Sequence, residues 1–411
     1  MAQLNITLNQ DEILQLLASN RDDAFKDLLQ DCLNSILKAE STEQLKAEKY
    51  ERSDDRTDSR NGTRERQLTT RIGKIDLVVP RHREVPFKSL IFDNYQRSEA
   101  ALVTTMAEMV VAGVSTRKVA KVVETLCGTS YSKSMVSEVC KDLDKAVYEF
   151  RHRPLTGKYP FVFVDATYFK VRQDHRIVAK SLMVAYATNG DGHREIIGFD
   201  LFDSETNNTW FMFIESLKRR GLQGVRLITS DAHPGILYAV RKVFPDVPWQ
   251  RCQTHFSRNI LDKTPAKYQK GLHSELTEMY NAASIKEART IRDRIISDYS
   301  DVAPGAMECL DMGFDSAMTV MVLPEPLRRY HRTSNYIERI NRELKRRSNV
   351  IGVFPNSESV IRIMGSVLMD LHEESLKRRI GAYPANSIEV TDSCYLQLKA
   401  IALEQEKLLS A

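Results

Sequence analysis

The spacing of apolar positions divides the chain into stretches of different period. Over residues 1–50, Leu14, Leu16, Leu17, Phe25, Leu28, Leu29, Cys32, Ile36 and Leu37 recur at helical intervals. Residues 46–66 nearly lack large apolar groups and mix both charges, which reads as a linker or flexible arm. Two β segments follow, LTTRIG and KIDLVVPR, around an expected turn at Gly73 and Lys74, with Pro80 ending the second. Residues 98–149 return to the helical period. One helix over 115–126 places Val119, Val122, Val123 and Leu126 on a face, and Gly128 breaks it. Ser132 is suited to cap a second helix with Val136, Val139, Cys140 and Leu143 inward. The pair has the form of a helix-turn-helix, with Lys133, Ser134 and Ser137 at the exposed start of a recognition helix. Many helix pairs of this form bind nothing.

From Tyr159 the pattern is that of strands. Phe161–Val164 is a continuous apolar run that ends in Asp165, as in a strand buried on both faces, and the strand continues through residues 168–171. Residues 177–187 form a second strand, closed by the turn sequence TNGDG, and 193–201 a third. A helix over 207–220 turns Trp210, Phe213, Ile214 and Leu217 inward and stops at Gly221. Residues 225–230 are an apolar strand that ends in Asp231; a helix over 235–243 and a short strand over 247–251 follow. The order β-β-β-α-β-α-β-α is that of a ribonuclease-H-like mixed sheet, in which the first and fourth strands are neighbours. Asp165 and Asp231 are then expected to approach one another. Residues 252–330 are mainly helical, interrupt the α/β rhythm and read as an insertion. A further helix, capped by Thr333 or Ser334, buries Ile337, Ile340 and Leu344 and carries Glu338, Asn341, Arg342 and Lys345 on the neighbouring face. It ends near Gly352 and Pro355, and 356–379 is helical again, with a short helix from about 388.

The expected organisation is α/β with N-terminal helical and small β DNA-binding modules. These are a helical region (1–50), a charged linker and hairpin (51–97), a helix-turn-helix-like region (98–155), the catalytic core (156–251), the helical insertion (252–330), the last part of the core (331–380) and a tail (381–411). The net charge of +4 is too small to announce a partner, but its distribution is uneven. Between residues 328 and 347 eight Lys and Arg stand against Glu338 and Glu343, a surface suited to phosphate or a solvated helix face. The hairpin's Arg64, Arg66, Arg71, Lys74, Arg81 and Arg83 admit the same two readings. Six scattered cysteines without a CxxC pair argue for a reducing compartment. No basic segment followed by an apolar run opens the chain, and no apolar stretch is long enough to span a bilayer. A cytoplasmic protein is expected.

A carboxylate at the end of a buried strand is costly unless a donor, an arginine or a metal compensates it. Two aspartates on adjacent strands and a glutamate from a packed helix supply the hard oxygens that hold two Mg²⁺ or Mn²⁺ ions about 4 Å apart for phosphoryl transfer. Asp165, Asp231 and Glu338 are the candidates for both catalysis and metal binding. Cys252 and His255 form a lone C-x₂-H. A zinc site wants four ligands, and His233 and His273 stand at no recognisable spacing, so a structural or DNA-positioning role is expected. Arg251, Arg258, Arg339, Arg342, Lys345, Arg346 and Arg347 are candidate phosphate contacts.

The segments RNGTRER, IGKIDLVVPRHRE, FVFVDATYFKVR, RGLQGVRLITSDAHPGI, FPDVPWQRCQTHFSRNI, RTSNYIERINRELKRR and FPNSES occur in this order, and together the chain resembles the bacterial insertion-sequence transposases of the Mutator type. The resemblance implies a DDE recombinase whose ribonuclease-H-like core is split by a helical insertion, with Asp165, Asp231 and Glu338 as its acids. It further implies cleavage and strand transfer of double-stranded DNA, at the terminal inverted repeats and at a target. A homodimer or larger assembly on DNA, association with the nucleoid and a copy-out route through circles are implied too. A structure-selective nuclease or resolvase on the same fold, or a transposase-derived DNA-binding regulator, are the alternatives.

Overall fold

The computed structural model describes residues 21–51, 56–70, 73–89, 100–111, 116–127, 132, 136–137, 140–381, 383–384 and 387–410. The chain forms two compact units, residues 1–142 and 143–411.

In the first unit, helix α1 (Arg21–Leu45) covers one face of an antiparallel ribbon of β1 (Arg60–Thr70) and β2 (Gly73–His82). Ile75, Leu77 and Val79 alternate inward along β2 and pack with Leu37, Leu68 and Phe87. Asn34 Oδ1 accepts from the Val78 amide at 2.8 Å, so the helix also satisfies the ribbon's edge. Two expectations are corrected. Residues 60–66 are strand rather than linker, because β2 supplies backbone partners such as Val79 for Arg64 and Leu77 for Arg66. Gly73 and Lys74 pair with Thr70 and Thr69, so they lie in β2 and not in the turn. Helices α2 (Ala100–Val111) and α3 (Thr116–Cys127) follow. Val119 and Val123 of α3 are buried, but Val122 is exposed. Most of the expected recognition helix, with Lys133 and Ser134, lies outside the described residues; Val136 is buried and Ser137 exposed.

The second unit opens with α4 (Leu143–His152) and a five-stranded sheet of β3 (Phe161–Gln173), β4 (Arg176–Thr188), β5 (Arg194–Phe202), β6 (Leu227–Ser230) and β7 (Trp249–Arg251). Its order is β5-β4-β3-β6-β7; β3, β4 and β5 are antiparallel neighbours, and β6 and β7 run parallel to β3. The first and fourth strands lie side by side as expected. Helices α5 (Asn207–Arg219) and α6 (Pro234–Val243) cover one face, with Trp210, Phe213, Ile214 and Leu217 against Val162, Val164, Met183 and Ile228. β3 is a single strand of 13 residues that continues through 168–171 as expected, with Asp165 inside it. Asp165 lies where the parallel pairing with β6 has ended, two residues beyond the Phe163–Thr229 pair.

The insertion is helical: α7 (Gln253–Leu261), α8 (Ala266–Tyr280), α9 (Ile285–Tyr299), α10 (Pro304–Ala317) and α11 (Glu325–His331). It has its own core of Phe256, Leu272, Leu276, Ile295, Leu310 and Phe314. The buried Gln250 of β7 joins it to the sheet, donating to Ala317 O at 2.7 Å and accepting from Val320 N. The chain returns through α12 (Asn335–Ile351) and α13 (Ser357–Leu376) and ends in α14 (Ser387–Asp392) and α15 (Tyr395–Ser410), more helix than the short C-terminal one expected. Among the described residues no helix is long and apolar enough to cross a membrane.

Helix α13 packs on β5, and there His372 Nδ1 accepts the Ile196 amide at 3.2 Å. Burial, and then the charge of Arg153, push this histidine down to about 4. A group depressed in the fold contributes stability that is intact above its unfolded pKa and lost as the pH falls through the folded one. The melting temperature is therefore expected to carry a component that falls from about pH 6.5 to 4 and that His372→Gln lacks. Parallel melting curves for the two proteins across that window would rule the linkage out.

Candidate active site

Four elements of the second unit converge on Asp165. The residue projects from β3 opposite Val184 of β4. Its Oδ1 accepts from the Ala166 amide at 2.9 Å, and its Oδ2 from Asn341 Nδ2 at 2.8 Å. Burial, and then the negative charge of Asp231, push its carboxyl up to about 7. Two carboxylates compete for one weakly solvated space. Asp231 follows β6 directly, and its Oδ1 takes the His233 amide at 3.3 Å. His233 in turn caps α6 through Nδ1, which accepts from Gly235 N at 3.1 Å. The short turn between β6 and α6 is thus held at both ends.

Helix α12 is anchored across this edge from both of its ends. At the start, Ser334 stands at the N-cap but makes no side-chain cap. Its hydroxyl and amide instead point at Cys252 Sγ, at 3.0 and 3.3 Å, and Gln253 N donates to Arg332 O. At the far end Gly352 adopts φ +77°, a left-handed conformation suited to glycine, and turns the chain back. Phe354 then pairs with β3, accepting from Arg172 N and donating to Lys170 O, both at 2.8 Å. Ile337, Ile340 and Leu344 are buried as their spacing predicts. The polar positions Ser334, Glu338 and Asn341, at i, i+4 and i+7, then share one face. They meet Cys252, His255 and Asp165 respectively.

Glu338 turns toward the insertion, with Oε1 3.7 Å from His255 Nε2. The adjoining Cys252 sulfur, despite burial, pulls His255 up to about 9, helped by the charges of Asp165 and Glu338. Burial pushes the Cys252 thiol up, but the hydrogen bonds of His255 and Ser334 outweigh it and hold the thiol below its usual range. The imidazole thus stands among the Cys252 sulfur and the carboxylates of Asp165 and Glu338.

Two ligand sets are present. Among the described residues, the His, Cys, Asp and Glu ligand atoms that lie within 4.8 Å of one another are those of Cys252, His255 and Glu338. Three ligands of mixed hardness fall short of a closed zinc site. Neither His233 nor His273 completes it: His233 caps α6, and His273 lines a polar pocket with Arg258. The second set is oxygen only. Asn341 Oδ1 is a buried acceptor without a hydrogen-bond donor, beside the Asp165 carboxylate, and Glu338 Oε1, also without a hydrogen bond, faces His255. Unsatisfied buried oxygens next to repelling carboxylates are the donor set a hard divalent cation fits.

The candidate phosphate contacts divide. Arg258, Arg339, Arg342, Lys345 and Arg346 are exposed. Arg346 and Arg347 both hold Glu343, whose carboxyl Arg346 first of all, and Arg347 after it, draw down to about 2. The pair made by the exposed Arg346 is weak and yields readily to phosphate, whereas Arg347 is largely covered. Arg251 does not face solvent as expected. Its guanidinium lies 4.5 Å from the Phe256 ring centre, packed against Gly313 of α10. The roles of Asn341 and Ser334 are not legible from the helix period, which marks only that they share the Glu338 face.

Residues 1–377 match the family model described as "Transposase, Mutator family". The chain belongs to this family, and the resemblance read from its motifs is borne out. It is 43% identical over 378 residues to the transposase for insertion sequence element IS256 in transposon Tn4001 of Staphylococcus aureus, covering 91% of this chain and 97% of that protein. It is 36% identical to the transposase for element ISRM5 of Rhizobium meliloti, over 88% of this chain and 90% of that protein. The same identity relates it to the transposase for IS1081 of Mycobacterium tuberculosis, over 89% of each. A transposase is an enzyme that cuts and transfers DNA strands.

Proposed function

We propose that this transposase acts on the ends of an insertion sequence as a DDE enzyme, with Asp165, Asp231 and Glu338 as its acids on a ribonuclease-H-like core. The observation that carries the reading is the Asp165 carboxyl, buried against the charge of Asp231 where β3 and β6 part. Repulsion of that kind is relieved by a divalent cation. The strand order β5-β4-β3-β6-β7 and the helical insertion before Glu338 support the fold assignment.

Bound Mg²⁺ or Mn²⁺, two ions in this reading, supplies Lewis acidity and lowers the pKa of a water or 3′-hydroxyl. The protein's own part is to hold and to exclude. Asp165 presents oxygens from within β3, Asp231 from the short turn that follows β6, and Glu338 from a helix tethered at both ends. The exposed Arg258, Arg339, Arg342 and Lys345 take backbone phosphates, whose contribution weakens with salt. The basic β1–β2 ribbon and the helices of the first unit are assigned to the terminal inverted repeats, because the ribbon exposes Arg64, Lys74 and Arg81 to a phosphate backbone. Two ends must be joined, so a dimer or larger assembly is required.

The test is a duplex that carries the element's terminal repeat, incubated with purified protein and Mg²⁺ or Mn²⁺. Nicking at the repeat boundary and joining of the freed 3′-hydroxyl to a target duplex are expected, and EDTA abolishes both. Cleavage without joining would assign a nuclease or resolvase. Binding of equal affinity with and without metal, and no cleavage, would assign a regulator.

A further inference from the structure

We propose that Asn341 belongs to the metal site. Its Nδ2 orients the Asp165 carboxylate, and its Oδ1 is a neutral oxygen ligand for the divalent cation that Asp165 holds. The inference rests on the functional reading above and adds a fourth residue to it.

Three observations carry it. Asn341 Nδ2 donates to Asp165 Oδ2 at 2.8 Å, across 176 residues of sequence, the direct side-chain bond by which α12 reaches β3 at the candidate site. The opposite atom of the same amide, Oδ1, is buried and has no donor. Glu338 Oε1, one turn earlier on the same face, is buried without a hydrogen bond and stands 3.7 Å from the His255 imidazole. A buried acceptor left without a donor keeps its full desolvation cost. The Asn341 acceptor, next to a carboxylate, is one that a hard cation would satisfy, since such cations prefer carboxylate and amide oxygens. A purely structural asparagine would leave Oδ1 in water or give it a donor. A glutamine in its place moves the amide by a methylene, and a leucine keeps the volume but supplies no ligand.

The chemistry of Oδ1 is that of a neutral ligand. It adds a coordination bond without adding to the repulsion between Asp165 and Asp231. The Nδ2 bond meanwhile fixes one carboxylate oxygen, which leaves the other lone pairs of Asp165 directed to the ion. An asparagine answers both demands; an aspartate keeps the oxygen ligand without the Nδ2 donor, and a leucine supplies neither.

The test measures Mn²⁺ binding to the full chain without DNA, by electron paramagnetic resonance of free Mn²⁺, together with the Mg²⁺ concentration that half-saturates end cleavage. Wild type, Asn341→Ala, Asn341→Leu, Asn341→Asp and Asp165→Asn are compared. The Ala and Leu variants are expected to weaken Mn²⁺ binding and to raise the half-saturating Mg²⁺ by about tenfold or more. Asn341→Asp, which keeps an oxygen, is expected to retain Mn²⁺ affinity. The melting temperature in EDTA shows that each variant is folded. If wild type binds Mn²⁺, Asp165→Asn loses it, and Asn341→Ala and Asn341→Leu bind like wild type, the role of Asn341 is wrong and the site stands. If Asp165→Asn binds Mn²⁺ like wild type, the functional reading fails first. Equal loss in the Asp and Ala variants overturns the ligand role of Oδ1.

Discussion

Asp165→Asn is expected to lower cleavage of a terminal-repeat duplex by about three orders of magnitude or more, the scale of several kcal/mol of lost transition-state stabilisation. Affinity for the uncut duplex at fixed salt is expected to stay the same, because the proposed phosphate contacts lie elsewhere. The exchange keeps the shape of the side chain and removes the charge proposed to hold the cation. It also sets an amide against Asn341 Nδ2, which at present finds a carboxylate oxygen at 2.8 Å. Folding should respond in the opposite direction. The Asp165 carboxyl is held up to about 7 by burial and by Asp231, well above its unfolded value of 3.8. Such a group contributes stability that is complete below the unfolded pKa and is lost as the pH rises through the folded one. In EDTA the wild-type melting temperature should therefore decline from about pH 4 to 7 with a component that the variant lacks. At pH 8 the variant should melt no lower than wild type. Added Mg²⁺ should raise the wild-type melting temperature alone. Cleavage by the variant within tenfold of wild type would remove Asp165 from the active site.

Trp210→Ala is expected to destabilise the second unit by about 3–5 kcal/mol, the usual cost of deleting a large buried aromatic side chain. Trp210 is fully buried in the core between α5 and the sheet. Its ring lies edge-on to Phe213, with centroids 6.0 Å apart, and its Nε1 donates to Glu205 Oε2 at 3.2 Å. It also sets the approach of α6. A Cβ on Gly235 would fall 2.7 Å from Trp210 Cδ1, so the start of α6 rests on the indole. The turn that carries Asp231 and His233 leads directly into that helix. The variant should lose cleavage at 37 °C beyond the fraction that is unfolded, since the Asp231 turn loosens with it. Urea unfolding followed by tryptophan fluorescence and circular dichroism measures the first effect. Tyr238→Ala, on the same helix but 42% exposed, is the control and should change stability by about 0.5 kcal/mol or less. Equal midpoints for the two variants would contradict the packing described.

Most of the sheet and of α12 was legible in the sequence. The apolar runs that end at Asp165 and Asp231, the TNGDG turn and the inward Trp210, Phe213, Ile214 and Leu217 are local patterns, and local patterns set strands and helix faces. The order of the elements was enough to make the first and fourth strands neighbours. The polar ribbon strand was not legible. Residues 60–66 have no β pattern of their own and become strand because β2 offers them partners. The inward turn of Arg251 and the diversion of Ser334 from capping to Cys252 were hidden for a related reason, since each depends on what the insertion packs against it.

The sequence by itself determined which acids the chain places near the sheet edge, on which helix face Glu338 and Asn341 stand, and to which family the motifs point. Periodicity is a property of neighbours along the chain, so it survives in one dimension. Only the tertiary structure decided what those faces meet. It set Asn341 on Asp165, Glu338 beside His255 and Ser334 on Cys252. Those contacts follow from two anchors of α12, at Cys252 and at the Phe354 pairing with β3, and from rotamers that close packing selects.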